Sequence, residues 1–438
     1  MRDNNLKNIK KAKNFLKNYS NDKFLPYKDS IFYLATYTNS IGYYILKTLF
    51  NKKDSNLFDN IKLILLDILY GLNYESFKGN LNQSNFNYKK IIITWAFKYS
   101  FNSKGELNDK YFGLNSSETD DVLWFVVYLS KEKPKKIRDN IILFQALGSK
   151  RKNVLSWIKF IVFKIPILFK NFKYFLVNIS NFNYFSEIFL KKTIPYFNNN
   201  IKYILMPYEG QPFQNRLIGF SKKNYPKIKI IGYIHSPPIA IPTNFIYKNF
   251  SPDKIVVSGK EQAHCFTKLL GWKSKKIQIE PSFRFKKKNN NLKNTIFLPI
   301  SVKNSKNVLK SLEYINDKFA NLKSFEIKNH PAALNSKKNI QLINQIKKLP
   351  GKNSKLKKSN KNYLIFIGNS GAIIEYLERG SKVIQICENP LIDYYSDKVW
   401  PSLKSTKLTN NVFIYTLKKR GNLIKLGNKK TNLNRILN

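Results

Sequence analysis

Residues 363–380 read YLIFIGNSGAIIEYLERG, and they indicate the fold class more clearly than any other stretch of the chain. The first five residues are apolar and short enough for a buried strand, while AIIEYLERG has the apolar spacing of an amphipathic helix. The Gly-Asn-Ser-Gly turn between them joins strand to helix directly. Strands and helices that alternate in this way are typical of a parallel sheet with crossover helices.

The same alternation runs through the chain from residue 201 onward. The charged, repetitive stretch KKKNNNLKN at 286–294 separates two such units and predicts a linker. We therefore expect an α/β protein with one domain over 1–285 and a second over 295–438, whose strand carboxyl ends face a shared cleft. The predicted strands are 89–97, 201–206, 228–234, 254–257, 295–300, 324–328, 363–367 and 382–387, and the predicted helices include 261–270, 304–320 and 373–379. The apolar aromatic runs 31–50, 61–72 and 122–129 are compatible with helices or strands.

The charge balance is strongly basic. Lys and Arg number 77 against 27 Asp and Glu, which gives a formal net charge of +50. Such a charge predicts attraction to anionic partners, namely nucleotides, nucleic acid or anionic lipid. Because lysine is enriched all along the chain together with Asn, Ile, Phe and Tyr, a general drift in composition is the alternative explanation.

Cysteine usage and hydropathy indicate an intracellular protein. Its two cysteines, Cys265 and Cys387, lie far apart in sequence, which excludes a disulfide framework and a thiolate metal cluster. The first 18 residues are basic but lack the apolar core and the small-residue cleavage site of a secretory signal. No uncharged apolar run reaches the roughly 18 residues that a spanning helix needs. We expect a cytoplasmic protein whose contact with the inner face of the plasma membrane, if any, is peripheral.

A basic aromatic segment at 153–190 stands out within the first domain. At helical spacing, Lys159, Lys170 and Lys173 share one face, and the opposite face is apolar. This pattern predicts a helix that lies on an anionic membrane surface, and an ordinary helix packed on the core is the alternative. Pro166 is expected to kink or break the helix in either case. The apolar side chains of the opposite face are Ile161, Ile165, Leu168, Phe172 and Leu176.

The turn Gly368-Asn369-Ser370-Gly371 is the first candidate site. Glycines there allow the backbone to approach a ligand closely, and the start of the following helix offers N–H groups to phosphate oxygens. Ser370 can add its hydroxyl or cap the helix, and Glu375, one turn further, could reach a ribose hydroxyl. Since such turns are common in α/β proteins, a purely structural cap is the alternative.

Two of the three histidines follow predicted strands and lie next to prolines. His330, with Lys328 two residues before it, could bind a diphosphate. His235 could accept a proton from an acceptor hydroxyl near neutral pH. A satisfied structural role is the alternative for each of them, and His264, within a predicted helix, is expected to have no function.

A fourth candidate follows the predicted strand 201–206 and reads PYEGQPFQNR. It combines the carboxylate of Glu209 with an amide-rich turn that includes Gln211, and it ends on Arg216. Glu209 could act as a base or bind sugar hydroxyls. Gln211 and Arg216 could serve the acceptor side of the site, or Arg216 could pair with Glu209 for structural reasons.

Five segments carry a family resemblance: YEGQPFQNRLI, IIGYIHSPP, PDKIVVSGKEQAHCFTKLLGW, IKNHPA and GNSGAIIEYLERGSKVIQI. Together they resemble surface-carbohydrate glycosyltransferases of the metal-independent type with two Rossmann-like domains facing a cleft, called GT-B. The resemblance covers about 201–386 and extends weakly to ITWAF and VLWFVVYLS. It implies that His330-Pro331 and Ser370 hold the donor phosphates and that His235 is the general base. Asn369 departs from the second Ser or Thr that several of these families have before the serine.

The resemblance implies transfer of a sugar from a nucleotide-activated donor to a growing bacterial surface polysaccharide or a lipid-linked acceptor. His235 or Glu209 would be the base, and no metal or cofactor is expected because Lys328 and helix amides would neutralise the leaving phosphate. One alternative is a nucleic-acid-binding protein, suggested by the charge and the aromatic content of 15%, although no RRM, KH, zinc-finger or helix-turn-helix signature occurs. A second alternative is an inactive scaffold of a polysaccharide assembly complex, but the presence of His330, Ser370 and Glu375 together argues against it.

Overall fold

The computed structural model of the protein describes residues 4–19, 75–78, 88–130, 132–145, 154–169, 175, 178–179, 181–287, 294–319, 321–330, 336–349, 363–427 and 434–437. The apolar runs predicted at 31–50 and 61–72 lie outside these residues, as do most of the predicted linker and Pro331. The described residues form a mixed α/β structure with two sheets, which we call sheet A and sheet B. The predicted α/β class is therefore confirmed.

Sheet A has eight strands in the order β1-β4-β3-β2-β5-β6-β7-β8. Seven of them are parallel, and β1 pairs antiparallel with β4 at one edge. β3 is buried along its whole length, as expected for a parallel sheet covered on both faces. The strand order reverses between β2 and β5, as in doubly wound, Rossmann-like sheets. The strands are β1 (Glu75–Lys78), β2 (Lys90–Ala96), β3 (Val122–Tyr128), β4 (Ile141–Gln145), β5 (Tyr203–Pro207), β6 (Lys229–Tyr233), β7 (Lys254–Val257) and β8 (Ile277–Ile279).

The helices in this part of the chain connect or flank the strands of sheet A. They are α1 (Asn4–Tyr19), α2 (Val154–Val162), α3 (Ile165–Leu168), α4 (Asn181–Thr193), α5 (Pro212–Asn224) and α6 (Lys260–Lys268). Pro166 lies in the first turn of α3, just after α2 ends, so the predicted break of the basic aromatic segment is confirmed. Pro212 starts α5, which places Arg216 on a helix.

Sheet B has six strands in the order β10-β9-β11-β12-β14-β13. The first four are parallel and the last two are antiparallel to their neighbours. The order again reverses, here between β9 and β11. The strands are β9 (Thr295–Phe297), β10 (Glu326–Lys328), β11 (Tyr363–Ile367), β12 (Lys382–Ile386), β13 (Leu403–Lys407) and β14 (Val412–Leu417), and the helices are α7 (Ser305–Lys318), α8 (Lys337–Lys347), α9 (Ala372–Glu378), α10 (Pro390–Asp393) and α11 (Asn434–Leu437).

The end of the chain returns from sheet B to sheet A. In residues 421–427, which we call the return segment, the Lys425 N–H donates to the Ser258 carbonyl at 2.6 Å. The Ser282 N–H donates in turn to the Lys425 carbonyl at 2.8 Å. Ile436 of α11 is buried among side chains of sheet A. The return segment and α11 therefore contact sheet A, although the sequence-based boundary places them in the second domain, 295–438.

Candidate functional site

The strand-order reversal of sheet A brings together side chains from three neighbouring strands. Trp95 is the second-last residue of β2, Glu209 comes two residues after β5, and His235 comes two residues after β6. Because β2, β5 and β6 are adjacent and parallel, their carboxyl ends meet at one edge of the sheet. Open α/β sheets bind ligands at such an edge, where the strand order changes direction.

Glu209 and His235 form a direct pair at this edge. His235 Nε2 lies 3.1 Å from Glu209 Oε1, and Gln211 Nε2 donates to Glu209 Oε2 at 2.7 Å. The His235 side chain is only 4% exposed, whereas 29% of the Glu209 side chain reaches solvent. Three of the residues predicted from sequence thus come together, and the carboxylate is the member that an incoming ligand can meet.

The protonation states follow from this geometry. Burial acts to raise the pKa of Glu209, but the hydrogen bond from His235, the charge of the imidazole when it is protonated, and the hydrogen bond from Gln211 hold that pKa below its ordinary value. Burial lowers the pKa of His235 and outweighs the carboxylate beside it. We therefore assign a carboxylate and a neutral imidazole near pH 7, with Nε2–H donating to Glu209. His235 Nδ1 is buried and has no hydrogen-bond partner among the described residues.

The turn after β5 fixes the position of Glu209. Gly210 has a φ of +70°, and a Cβ there would lie 2.5 Å from the Asn244 carbonyl oxygen, so the position requires glycine. The Asn244 side chain donates to the Glu209 carbonyl at 2.9 Å, and the Glu209 N–H donates to Gln214 at 3.0 Å. The backbone on both sides of the carboxylate is therefore held before any ligand binds.

An aromatic wall that the sequence analysis did not single out surrounds the pair. The rings of Tyr111 and His235 meet edge to face at 4.7 Å, and the Trp95 ring lies 5.9 Å from that of His235. The Arg284 guanidinium lies 5.5 Å from the Tyr111 ring centre and acts electrostatically on both Glu209 and His235. The position of Trp95 at a strand end was a usable signal, whereas Tyr111 lies in a loop without periodicity.

A buried carboxylate supports this wall from behind. Asp109 accepts hydrogen bonds from the Thr94 hydroxyl and from the Phe112 N–H, both at 2.5 Å. Burial raises the pKa of Asp109 to about 6, although these hydrogen bonds oppose the shift. Thr94 precedes Trp95 and Phe112 follows Tyr111, so this one carboxylate ties together the two backbone segments that carry the wall.

Arg216 does not pair with Glu209. Its guanidinium lies 3.0 Å from Glu187 on α4, and this carboxylate also contacts Lys164 at 3.2 Å. The Arg216 side chain is buried, and the contact links α5 to α4. The sequence left open whether Arg216 serves the acceptor or the structure, and the contact with Glu187 favours the structural role.

The glycine-rich turn of sheet B follows β11, beside the point where the strand order of that sheet reverses. Gly368 has a φ of +74°, which favours glycine. Asn369 accepts a hydrogen bond from the Tyr395 hydroxyl at 3.3 Å, and Ser370 Oγ accepts one from the Ala372 N–H at 3.3 Å. Ser370 Oγ therefore accepts an N–H at the start of α9, which is close to the capping role predicted as one of its two alternatives, although Gly371 is the N-cap residue.

Two predicted motifs meet at this turn. A Cβ on Gly371 would lie 3.1 Å from Cδ of Pro237, two residues after His235. The turn of sheet B thus packs directly against the HSPP segment of sheet A. The absence of a side chain at Gly371 permits this close approach.

The remaining predicted residues lie along the same edge of sheet B. Lys328 ends β10 and contacts Glu326 at 3.2 Å, and it lies close enough to Tyr376 to act on the pKa of that phenol. Glu375 pairs with Arg379 one turn along α9. His330 is exposed and follows β10. Because β9 lies between β10 and β11, the axes of β10 and β11 are about 10 Å apart. Pro331, its predicted companion, lies outside the described residues.

Comparison with known proteins adds no assignment to this geometry. The chain matches no protein-family model. No curated protein matches its sequence significantly. Among the described residues, no group of three or more His, Cys, Asp or Glu side chains is placed to hold a metal ion. The functional interpretation therefore depends on the Glu209–His235 pair, the wall around it and the turn of sheet B that faces it.

Proposed function

We propose that the protein is a GT-B type glycosyltransferase, which transfers a sugar from a nucleotide-activated donor to a hydroxyl of a saccharide acceptor. One observation carries this proposal: a partly buried carboxylate, held by His235 and Gln211 at the strand-order reversal of sheet A, lies near the segment that packs on the glycine-rich turn of sheet B. A base on one sheet and a candidate phosphate site on the other suit a two-substrate transfer.

On the acceptor side, Glu209 is the proposed base. The acceptor oxygen attacks the anomeric carbon of the donor, its proton passes to the Glu209 carboxylate, and the bond from that carbon to the phosphate oxygen breaks. The nucleotide leaves with the bonding electrons. A positioned base of this kind contributes about 10²- to 10⁴-fold to a rate.

His235 is proposed to position Glu209. It is not proposed as the general base, which is the role that the family resemblance implies for it. Its imidazole is buried, and its Nε2–H holds one carboxylate oxygen while Gln211 holds the other. A carboxylate oxygen has two lone pairs, so each oxygen of Glu209 can still accept the hydrogen of an acceptor hydroxyl. Trp95 and Tyr111 offer apolar ring surface on which the carbon face of a sugar could pack.

On the donor side, Ser370, Lys328 and His330 are the proposed phosphate contacts, and Gly368, Asn369 and Gly371 shape the turn. Glu375 is proposed to bind a ribose hydroxyl in exchange for part of its contact with Arg379. Arg284 is an additional cation near the base, since it acts on Glu209 and His235 without an ion pair among the described residues. Fixed cations stabilise the charge that develops on a leaving phosphate.

The acceptor class is proposed from the family resemblance. A growing bacterial surface polysaccharide or a lipid-linked oligosaccharide would present hydroxyls to Glu209, and a cytoplasmic enzyme would meet the nucleotide-activated donor there. No cofactor is part of the proposal.

A panel of nucleotide sugars and nucleotides tests this function by thermal shift. We expect one nucleotide class to stabilise the full chain, by about 2.7 kcal/mol at a ligand concentration 100 times Kd. Single-stranded RNA should bind only at low salt, because scattered surface charge is screened. RNA binding that survives high salt while no nucleotide raises Tm would contradict the proposal and favour a nucleic-acid-binding protein. Nucleotide binding without turnover on any acceptor would favour an inactive scaffold.

A further inference from the structure

The outward surface of α2 and α3 is apolar. Seven of the fourteen large apolar side chains that the described residues expose lie between 155 and 169. Phe169 is 85% exposed, Phe163 80% and Leu155 77%. We call the exposed side chains of this stretch the apolar face. Its members are Leu155, Ile158, Val162, Phe163, Ile165, Leu168 and Phe169.

The inward side of the same helices shows that this orientation is fixed. The Phe160 ring packs on Tyr184 of α4 at 5.2 Å, and Lys164 Nζ lies 3.2 Å from Glu187. Burial and the nearby charge of Arg216 lower the pKa of Lys164 to about 8. Lys164, between the two helices, thus turns inward to a carboxylate, whereas large apolar side chains of 155–169 are exposed. Contiguous apolar surface of this kind marks an interaction site.

The charge of the segment indicates what covers the apolar face. Between Asp139 and Glu187 the sequence has seven Lys or Arg residues and no Asp or Glu. Lys159 is exposed on α2, and exposed Lys191 and Lys192 end α4. Exposed apolar side chains beside cationic ones match the interface of an anionic bilayer, in which apolar groups enter the acyl boundary and lysines contact headgroups.

We propose that the apolar face inserts into the interfacial region of an anionic lipid bilayer and attaches the protein peripherally. None of the helices in the described part of the chain is long and apolar enough to cross a membrane. A second copy of the chain is the less suitable occupant, because two basic segments in a protein of net charge +50 would repel each other. The inference goes beyond the proposed function, since it depends on the exposed side chains of 155–169 and on no catalytic residue.

Co-sedimentation of the full chain with vesicles tests the inference. The vesicles contain equal amounts of phosphatidylcholine and phosphatidylglycerol, and pure phosphatidylcholine is the neutral comparison. The double variant Phe163→Ser, Phe169→Ser removes the two most exposed rings of residues 155–169 and should fold normally. We expect its partition onto anionic vesicles to fall by roughly tenfold or more, because each buried Phe makes a large apolar contribution. Ile340→Ser, which changes an exposed apolar residue of α8, should bind like the unchanged protein.

Two further measurements separate the contribution of charge to membrane binding from that of apolar insertion. Lys159→Gln should weaken the partition by a few-fold at low salt, while Lys404→Gln, an exposed position of β13, should have less effect. Raising salt from about 0.1 M to about 1 M should reduce binding and remove the difference between these lysine variants. Unchanged binding of the double Phe variant would overturn the inference. A dimer in solution that the double Phe variant dissociates would also overturn it, because a second copy would then cover the apolar face.

Discussion

At the residue scale, Glu209 owes its ionisation to its partners. Burial alone would raise its pKa, and the hydrogen bond from His235, with the charge of the imidazole when it is protonated, reverses that effect. The pair therefore works as a unit in which the buried imidazole sets the ionisation of the partly exposed carboxylate. This division of roles gives different predictions for the two side chains.

Glu209→Gln should reduce turnover by about 10²- to 10⁴-fold with little change in nucleotide Kd, because the amide cannot accept the acceptor proton. Steady-state turnover and calorimetry on the same preparations measure both quantities. Glu118→Gln, at an exposed position outside the site, is the matched control. A Glu209→Gln protein with near-normal turnover would show that the base is elsewhere.

His235→Ala should shift the pH dependence of the reaction. Removal of the imidazole takes away the contact that lowers the pKa of Glu209, so the carboxyl group should hold its proton to higher pH. The acid limb of the turnover profile should therefore move to higher pH, while the nucleotide Kd stays nearly constant. If turnover falls equally at all pH values, His235 has only a structural role or is itself the base.

His330→Ala should weaken nucleotide binding by roughly 10- to 100-fold, since a hydrogen bond to a charged phosphate would be lost in the ground state and in the transition state. Calorimetric titration with the stabilising nucleotide measures this loss. His264→Ala is the matched control, because His264 is also exposed and lies on α6. Equal affinity of the two variants would remove His330 from the donor site.

At the element scale, the loop between β2 and β3 depends on the buried Asp109. Its pKa is raised from 3.8 to about 6, so the folded protein binds the proton more tightly than the unfolded chain. The free energy of unfolding should therefore fall as pH rises from about 4 to about 6, and this group should add no further change above that window. The size of the effect is on the order of 3 kcal/mol.

Chemical denaturation at several pH values tests this behaviour in Asp109→Asn. The variant lacks the titrating carboxyl group, so its free energy of unfolding should not show the fall expected for the unchanged protein. Relative to the unchanged protein, the variant should therefore gain stability as pH rises from about 4 to about 6. Asp120→Asn, whose side chain is 91% exposed, should follow the unchanged protein at every pH. A stability difference for Asp109→Asn that does not depend on pH would contradict the assignment.

The elements themselves were largely predictable from sequence, because buried parallel strands have short, β-branched runs between polar turns. The predictions at 254–257 and 363–367 coincide with β7 and β11, and 201–206 and 228–234 match β5 and β6 within two residues at each end. The short edge strand β1 lies apart from these runs. Its placement depends on pairing with β4, which the local pattern does not contain.

The central pair of the site was predictable in its residues and not in its arrangement, and the aromatic wall around it was not predicted. Glu209 and His235 were each found from their positions after strands, but their contact follows from the pairing of β5 with β6, which is a tertiary feature. A pairing of Arg216 with Glu209 was one of two alternatives, because the two are close in sequence. The helix that starts at Pro212 turns it toward Glu187 instead.

At the scale of the whole molecule, the return segment joins the two sheets. Glu378 of α9 is buried, and its carboxylate accepts hydrogen bonds from the backbone N–H groups of Gly421, Leu423 and Ile424. A Cβ on Gly259, just before α6, would lie 2.0 Å from the Leu423 carbonyl oxygen. The close packing of the return segment on both sheets therefore holds the two halves of the proposed site in position.

Glu378→Gln should destabilise the protein by about 1–3 kcal/mol, because the amide group turns an N–H donor toward a backbone N–H that needs an acceptor. Hydrogen exchange at Leu423 and Ile424 should speed up in the same variant. Glu313→Gln, at an exposed position of α7, is the control. Unchanged exchange at both amides would show that the carboxylate does not hold the return segment.

The central claim is that a sugar moves from a nucleotide to an acceptor hydroxyl at the Glu209 carboxylate. Mass spectrometry of a saccharide acceptor, incubated with the full chain and the nucleotide sugar that stabilises it, measures this transfer directly. We predict that the acceptor gains the mass of one glycosyl residue, that free nucleotide appears in equal amount, and that Glu209→Gln slows both by about 10²-fold or more. Equal transfer by the Glu209→Gln protein, or nucleotide binding with no gain in acceptor mass, would contradict the account.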